Sequence, residues 1–127
     1  MSASILVADD DFDNRTIVRD ALQYKGYRVL EAKNGREVIA LAVKEKPDMI
    51  FMDLSMPELS GWEAAKQLRL IVETRAIPIV AFTAHAMQGD KDKALESGCD
   101  DYLSKPCLPS EVISKAECWI RKGKPSA

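Results

Sequence analysis

At 127 residues, 46% of them apolar and 30% charged, the chain has the length and balance of a single globular domain around one core. A formal net charge of −2 offers no broad basic field to nucleic acid or an anionic membrane, so neither direct nucleic-acid binding nor membrane insertion is expected. The apolar runs are strand-length, far below a membrane span. The N-terminus MSASILVADD lacks the basic region and long apolar stretch of a signal peptide, so a cytoplasmic location is expected.

Strand-like and helix-like segments alternate along the chain. The first strand is expected over Ser4–Ala8 (SILVA), followed by a helical stripe of Ile17, Val18, Ala21 and Leu22. A strand over Arg28–Glu31 precedes a stripe of Val38, Ile39, Leu41 and Ala42. Met49–Met52 (MIFM) reads as the third strand, with Ala64, Ala65, Leu68 and Ile71 as the next stripe. Ile79–Phe82 is the fourth strand, and Ala94 and Leu95 mark a short fourth helix. Tyr102–Ser104 and a stripe of Val112, Ile113, Ala116 and Ile120 complete the pattern. Gly26, Asn34-Gly35, Pro47, Gly61, Pro78 and Gly98 punctuate the boundaries. Several strands are apolar without alternation, as in parallel strands covered on both faces. Five βα units in a row therefore predict a doubly wound parallel sheet flanked by five helices with right-handed crossovers. The domain is expected over residues 4–121, with 122–127 (KGKPSA) as a loose tail. Cys99, Cys107 and Cys118 are odd in number and irregularly spaced, so they read as reduced thiols rather than a disulfide frame or zinc site.

Ligands of open parallel sheets bind at the carboxyl ends of the strands, at the switch point in strand order. Asp9 and Asp10 follow the first strand, and Asp53 follows the third. If those strands are neighbours, three carboxylates converge, and a hard divalent cation such as Mg2+ offsets their repulsion. Thr83 and Ala84 follow the fourth strand and Lys105 the fifth, adding a hydroxyl, a backbone N–H and an ammonium. Such a set suits a phosphoryl group, with a carboxylate as nucleophile. Each residue also has a plainer reading. Asp9, Asp10 and Asp13 are what a helix N-terminus attracts, and Lys105 alone reads as a surface lysine. Trp62 and Trp119 read as packing residues, and His85, the only histidine, as an exposed loop residue.

The pieces LVADDD, IFMDLSMPELSG, VAFTA and GCDDYLSKP, in this order and spacing, make the chain resemble the receiver domain of two-component response regulators. The resemblance implies a flavodoxin-like sheet of order 2-1-3-4-5. It implies that Asp53 is the phosphoacceptor, that Asp10 binds Mg2+ directly, and that Asp9 acts mainly through the ion's water shell. Asp53 also contributes to the ion's ligands, and the backbone carbonyl of Ser55 completes them. Thr83 corresponds to the switch hydroxyl, aided by the Ala84 N–H, and Lys105 to the lysine that pairs with the phosphoryl oxygen. Tyr102 corresponds to the aromatic whose position reports activation, and Lys105–Pro106 is a candidate cis peptide.

The implied function is a signalling switch rather than an enzyme acting on an external substrate. It has intrinsic Mg2+-dependent autophosphorylation and autodephosphorylation. Its implied partners are a sensor histidine kinase or histidine phosphotransfer protein and a downstream protein effector. The effector would meet the face built by the fourth helix, fifth strand and fifth helix. Ser55, where asparagine is frequent in the family, and His85 flank the attacking water's route and are expected to tune dephosphorylation. Asp11 is a third acid where many receivers carry another residue type. The string TAHAMQGD resembles stand-alone receivers and those attached to hybrid kinases more than transcriptional ones. A starting Met and a complete domain favour a stand-alone module over an excised piece of a larger regulator. A haloacid-dehalogenase-like phosphatase would also use an aspartate and Mg2+, but it wants a second acid where Ser55 stands.

Overall fold

The computed structural model describes residues 3–54, 56, 58–83, 92, 95–104 and 108–122, with only the backbone of Thr83 and Lys122. Five strands, β1 (Ser4–Ala8), β2 (Arg28–Ala32), β3 (Met49–Asp53), β4 (Ile79–Thr83) and β5 (Asp101–Ser104), pair in parallel in the order β2-β1-β3-β4-β5. Among the described residues four helices flank them: α1 (Phe12–Tyr24), α2 (Gly35–Glu45), α3 (Gly61–Leu70) and α4 (Pro109–Lys122). The helix expected around Ala94 and Leu95 falls largely outside the described residues, although Leu95 and Glu96 are helical. Residues 123–127 of the expected tail, and Cys107, also lie outside.

α1 packs against α4, and α2 against α3, so the two pairs cover opposite faces of the sheet. The strands feed both cores by strict alternation. In β1, Ile5 and Val7 join Val18 and Leu22 of α1 and Val112 and Ala116 of α4, while Leu6 and Ala8 join Val38 and Ala42 of α2 and Ala64, Ala65 and Leu68 of α3. All of β3 is buried, which accounts for its unbroken apolar run. β2 lies at the sheet edge and is correspondingly mixed, with Arg28 exposed.

β1 has the bounds the sequence implies, and the other four strands run one residue further. β2 reaches Ala32, β3 reaches Asp53, β4 reaches Thr83, and β5 begins at Asp101. Hydrogen bonding is indifferent to side-chain polarity, so pairing continues to Asp53↔Phe82 and Thr83↔Ser104. Ile17 is exposed rather than part of the buried stripe; Val18 and Leu22, four apart, take the inward positions and rotate their neighbour towards solvent. Trp62 and Trp119 are half-buried against the two cores, as expected of packing residues.

At the amino end of the sheet, Arg69 from α3 gathers four acceptors. Its guanidinium donates to the carbonyls of Gly98 (2.7 Å), Arg75 (2.8 Å) and Ile77 (2.7 Å) and to Asp100 Oδ2 (2.6 Å). The same Asp100 oxygen accepts from Ile79 N at 2.8 Å, while Asp100 N donates to Ile79 O at 2.7 Å. The starts of β4 and β5 are thus fastened to each other and to α3.

Asp101 makes the corresponding tie between β5 and α4, accepting from Lys115 Nζ at 2.6 Å and Trp119 Nε1 at 3.1 Å. Burial pushes its carboxyl up, but the hydrogen bonds from Lys115, Trp119 and the Tyr102 N–H outweigh it and hold it below its ordinary value of 3.8. Because the folded value is lowered, the tie's contribution is fully present above the ordinary carboxyl value and is lost as pH falls through the lower folded value. Asp101→Asn is therefore expected to be less stable than wild type at about pH 6, with the difference starting to shrink only as pH falls below the ordinary carboxyl value and vanishing below the lowered folded value, measured as urea midpoints across the acid range. Parallel curves for the two proteins would contradict this assignment.

Candidate functional site

Register brings the acids together. Ala8 pairs with Met52 across β1 and β3, so the next step along each strand sets Asp9 beside Asp53. Strand order reverses at this pair, since β2 lies on one side of it and β4 and β5 on the other. One carboxylate oxygen from each of Asp9, Asp10 and Asp53 lies within 4.8 Å of the others. Asp9 and Asp53 are buried and Asp10 is exposed, which leaves the cluster open on one side.

Local chemistry fixes the acids' backbone. Asp9 Oδ1 accepts from Asp11 N at 2.9 Å, an Asx turn that folds the chain away from β1. Asp11 then caps α1, its Oδ1 accepting from Asp13 N (2.9 Å) and Asn14 N (3.1 Å). The three consecutive aspartates thus divide their labour, with Asp9 and Asp10 in the cluster, Asp11 as the cap, and Asp13 in the first helical turn. The capping role of Asp11 was legible in principle, because an aspartate just ahead of an amphipathic stripe is a helix-start signal. On the other side of the cluster, α3 approaches so closely that a Cβ on Gly61 would lie 2.5 Å from Asp53 O and 2.7 Å from Leu54 Cα. Gly61 N donates to Leu54 O at 3.1 Å, and Leu54 N to Phe82 O at 3.1 Å.

The donor set suits a hard divalent cation. It is all carboxylate oxygen, and Mg2+ takes a few such ligands while retaining water. The described cysteines are elsewhere, Cys99 buried in the core beneath α2 and α3 and Cys118 exposed on α4. Burial pushes the Cys99 thiol up to about 12, which makes it a packing residue rather than a ligand.

The remaining expected site residues divide in two. Thr83 ends β4 opposite Ser104, at the same edge of the sheet as the acids. Tyr102 is half-buried in β5 and packs against the core beneath α2 and α3. Ser55, Ala84, His85, Lys105 and Pro106 lie outside the described residues, and with them the candidate cis peptide.

A doubly wound five-stranded sheet of order 2-1-3-4-5 with three acids at its switch point is the arrangement that the resemblance to two-component receiver modules implies. Residues 5–117 match the response regulator receiver domain, and the chain belongs to that family. It is similar to the polar-differentiation response regulator DivK of Brucella anthropi, with 40% identity over 94% of this chain and 98% of the relative. The receiver domain of a Pseudomonas aeruginosa sensor histidine kinase, solved with magnesium coordinated in its active-site cleft, superposes with a TM-score of 0.89 at 34% identity, covering 95% of this chain and 99% of that one. The co-crystal structure of the Saccharomyces cerevisiae histidine phosphotransfer protein Ypd1 with the receiver domain of Ssk1 contains a chain matching with a TM-score of 0.87 at 36% identity, over 93% of this chain and 88% of that one. The protein is thus a receiver domain of two-component signalling, a switch rather than a conventional enzyme. Among the described residues no helix is long and apolar enough to cross a membrane.

The close approach at Gly61 yields a test of how the pocket is built. Gly61→Ala is expected to force α3 off the β3 terminus and cost about 1–3 kcal/mol, as overpacking does, measured by chemical denaturation. A variant as stable as wild type would mean that the approach is looser than its geometry implies.

Proposed function

We propose that this receiver accepts a phosphoryl group on Asp53 from a phosphohistidine of a sensor histidine kinase or histidine phosphotransfer protein. The observation that carries the reading is the convergence of Asp9, Asp10 and Asp53 within 4.8 Å at the switch point of the sheet. An Asp53 carboxylate oxygen attacks phosphorus, a P–O bond forms, the P–N bond to the donor histidine breaks, and the imidazole leaves with the electron pair. Asp9, Asp10 and Asp53, with the backbone carbonyl of Ser55, would hold Mg2+. When bound, the ion supplies positive charge against the phosphoryl oxygens. Support for these roles comes from the oxygen-only donor set and from the magnesium-bearing cleft of the similar Pseudomonas receiver. The similar chain from the Ypd1–Ssk1 complex supports a phosphotransfer partner.

The Thr83 hydroxyl, the Ala84 N–H and the Lys105 ammonium bind the transferred oxygens. Ser55 and His85 tune the attack of water that later removes the group. Phosphorylation draws Thr83 inward and Tyr102 after it, which biases a two-state equilibrium read by a downstream protein effector on the face of β5, α4 and the helical segment before β5. The working domain is residues 4–121, acting in the cytoplasm. A small phosphodonor serves in place of the kinase, because the chain's own residues catalyse transfer and slow hydrolysis.

Intact mass after incubation with acetyl phosphate, with and without Mg2+, tests the reading. Wild type is expected to gain one phosphoryl group only with Mg2+, and Asp53→Asn to gain none. Labelling that persists in Asp53→Asn would move the acceptor elsewhere. A wild type that neither gains mass nor releases phosphate would remove the phosphoryl chemistry and leave the fold.

A further inference from the structure

We propose that Arg15 is a positioning residue for the acid pocket, anchored by Glu31 of β2, and that this pair sets the pocket's affinity for a divalent cation. The inference rests on the reading above that Asp9, Asp10 and Asp53 hold Mg2+. Arg15 lies in α1 with its side chain only 12% exposed. Its Nη1 donates to Asp9 O at 2.8 Å and its Nε to Glu31 Oε1 at 3.0 Å. The ring of Phe12 sits against the guanidinium, 5.5 Å from centroid to Cζ. The other Glu31 oxygen faces Arg19 Nη1 at 3.3 Å, so the anchor is held from both sides.

What Arg15 grips is the carbonyl of the peptide that joins Asp9 to Asp10. A peptide unit is planar, so fixing its oxygen fixes the direction in which the chain leaves for the Asp10 Cα. The Asp9 N–H is meanwhile held by Ala32 O at 3.1 Å, and its side chain by Asp11 N. Asp9 is therefore fixed at N–H, carbonyl and side chain, and the contact that passes on to Asp10 belongs to Arg15. A fork donor suits the task, because two nitrogens of one rigid plane meet two acceptors on different elements.

Charge and position pull in opposite directions here. As a cation near the pocket, Arg15 repels Mg2+, so losing its charge would tighten binding if electrostatics were its whole role. As a positioning group, losing its fork geometry loosens the acids and weakens binding. Arg15→Lys keeps the charge and loses the fork; Glu31→Gln keeps Arg15 and weakens its anchor. Arg19→Gln removes a neighbouring charge and one of the two contacts on Glu31, leaving the Arg15 Nε contact in place.

Titration of the full-length protein with MgCl2, followed by the amide NMR shifts of Asp9, Asp10 and Asp53, reads the affinity of the folded state. Arg15→Lys is expected to weaken Mg2+ about tenfold, in the range seen when supporting contacts behind metal ligands are removed. Glu31→Gln is expected to shift affinity the same way by a smaller factor, and Arg19→Gln, which leaves the Arg15–Glu31 contact in place, by less than Glu31→Gln. Unchanged or tighter Mg2+ binding in Arg15→Lys or Glu31→Gln overturns the inference, even if the denaturation midpoint falls, because a purely structural role would move only the latter. Should Arg15→Lys fail to fold, Glu31→Gln decides alone. A wild type without saturable Mg2+ shifts removes the metal reading itself and the inference with it, an outcome distinct from variants that bind as wild type does.

Discussion

Like charges close together in a partly buried site resist assembly, and the site described here exists because backbone pairing overrides that resistance. The parallel register of β1 and β3 is set by apolar residues on both faces, including Leu6, Ala8, Ile50 and Met52 towards one core and Ile5, Val7, Met49 and Phe51 towards the other. A slip of one residue would turn each of those side chains to the wrong face. Burial of several such side chains at about 1.5–3 kcal/mol each far exceeds what acid repulsion at one edge can oppose. The core thus delivers Asp9 and Asp53 to one place whether or not a cation is there to meet them.

Around that enforced meeting, the polar contacts follow from backbone accounting. A helix must satisfy its first N–H groups, and Asp11 does so for α1, Asn34 for α2 and Ser60 for α3. The caps follow their strands by three residues at Asp11, two at Asn34 and seven at Ser60, so closing each helix also fixes where the connecting chain must arrive. Gly35 and Gly61 admit the close approach of these loops: Gly35 N bonds to Leu59 O at 3.0 Å, and Gly61 lies against Asp53 O. Side chains at either position would separate the elements that define the site.

The order of elements, the two-faced burial and the acid cluster were readable along the chain because each depends on local pattern. Apolar runs such as MIFM announce buried strands, and acids placed just after such runs fall at the sheet edge. Strand ends were less legible, since Asp53 and Thr83 continue the pairing although neither is apolar. Ile17 and Val18 are alike as letters, and only the packing of α1 on the sheet selects Val18. The ties made by Arg15, Arg69 and Asp101 were not legible at all. Arg69 and Asp100 are 31 residues apart, and no rule of spacing pairs them before the fold brings α3 to β5.

The arginine at the end of α3 has a mechanical consequence. By joining the carbonyls of Arg75, Ile77 and Gly98 to Asp100, Arg69 clamps β4 and β5 at their amino ends, the ends farthest from the acids. The opposite ends of the same strands are joined in the sheet, Thr83 opposite Ser104 and Phe82 O accepting from Leu54 N. A displacement of α3 is therefore carried into both strands together, because one planar guanidinium holds acceptors at the start of each.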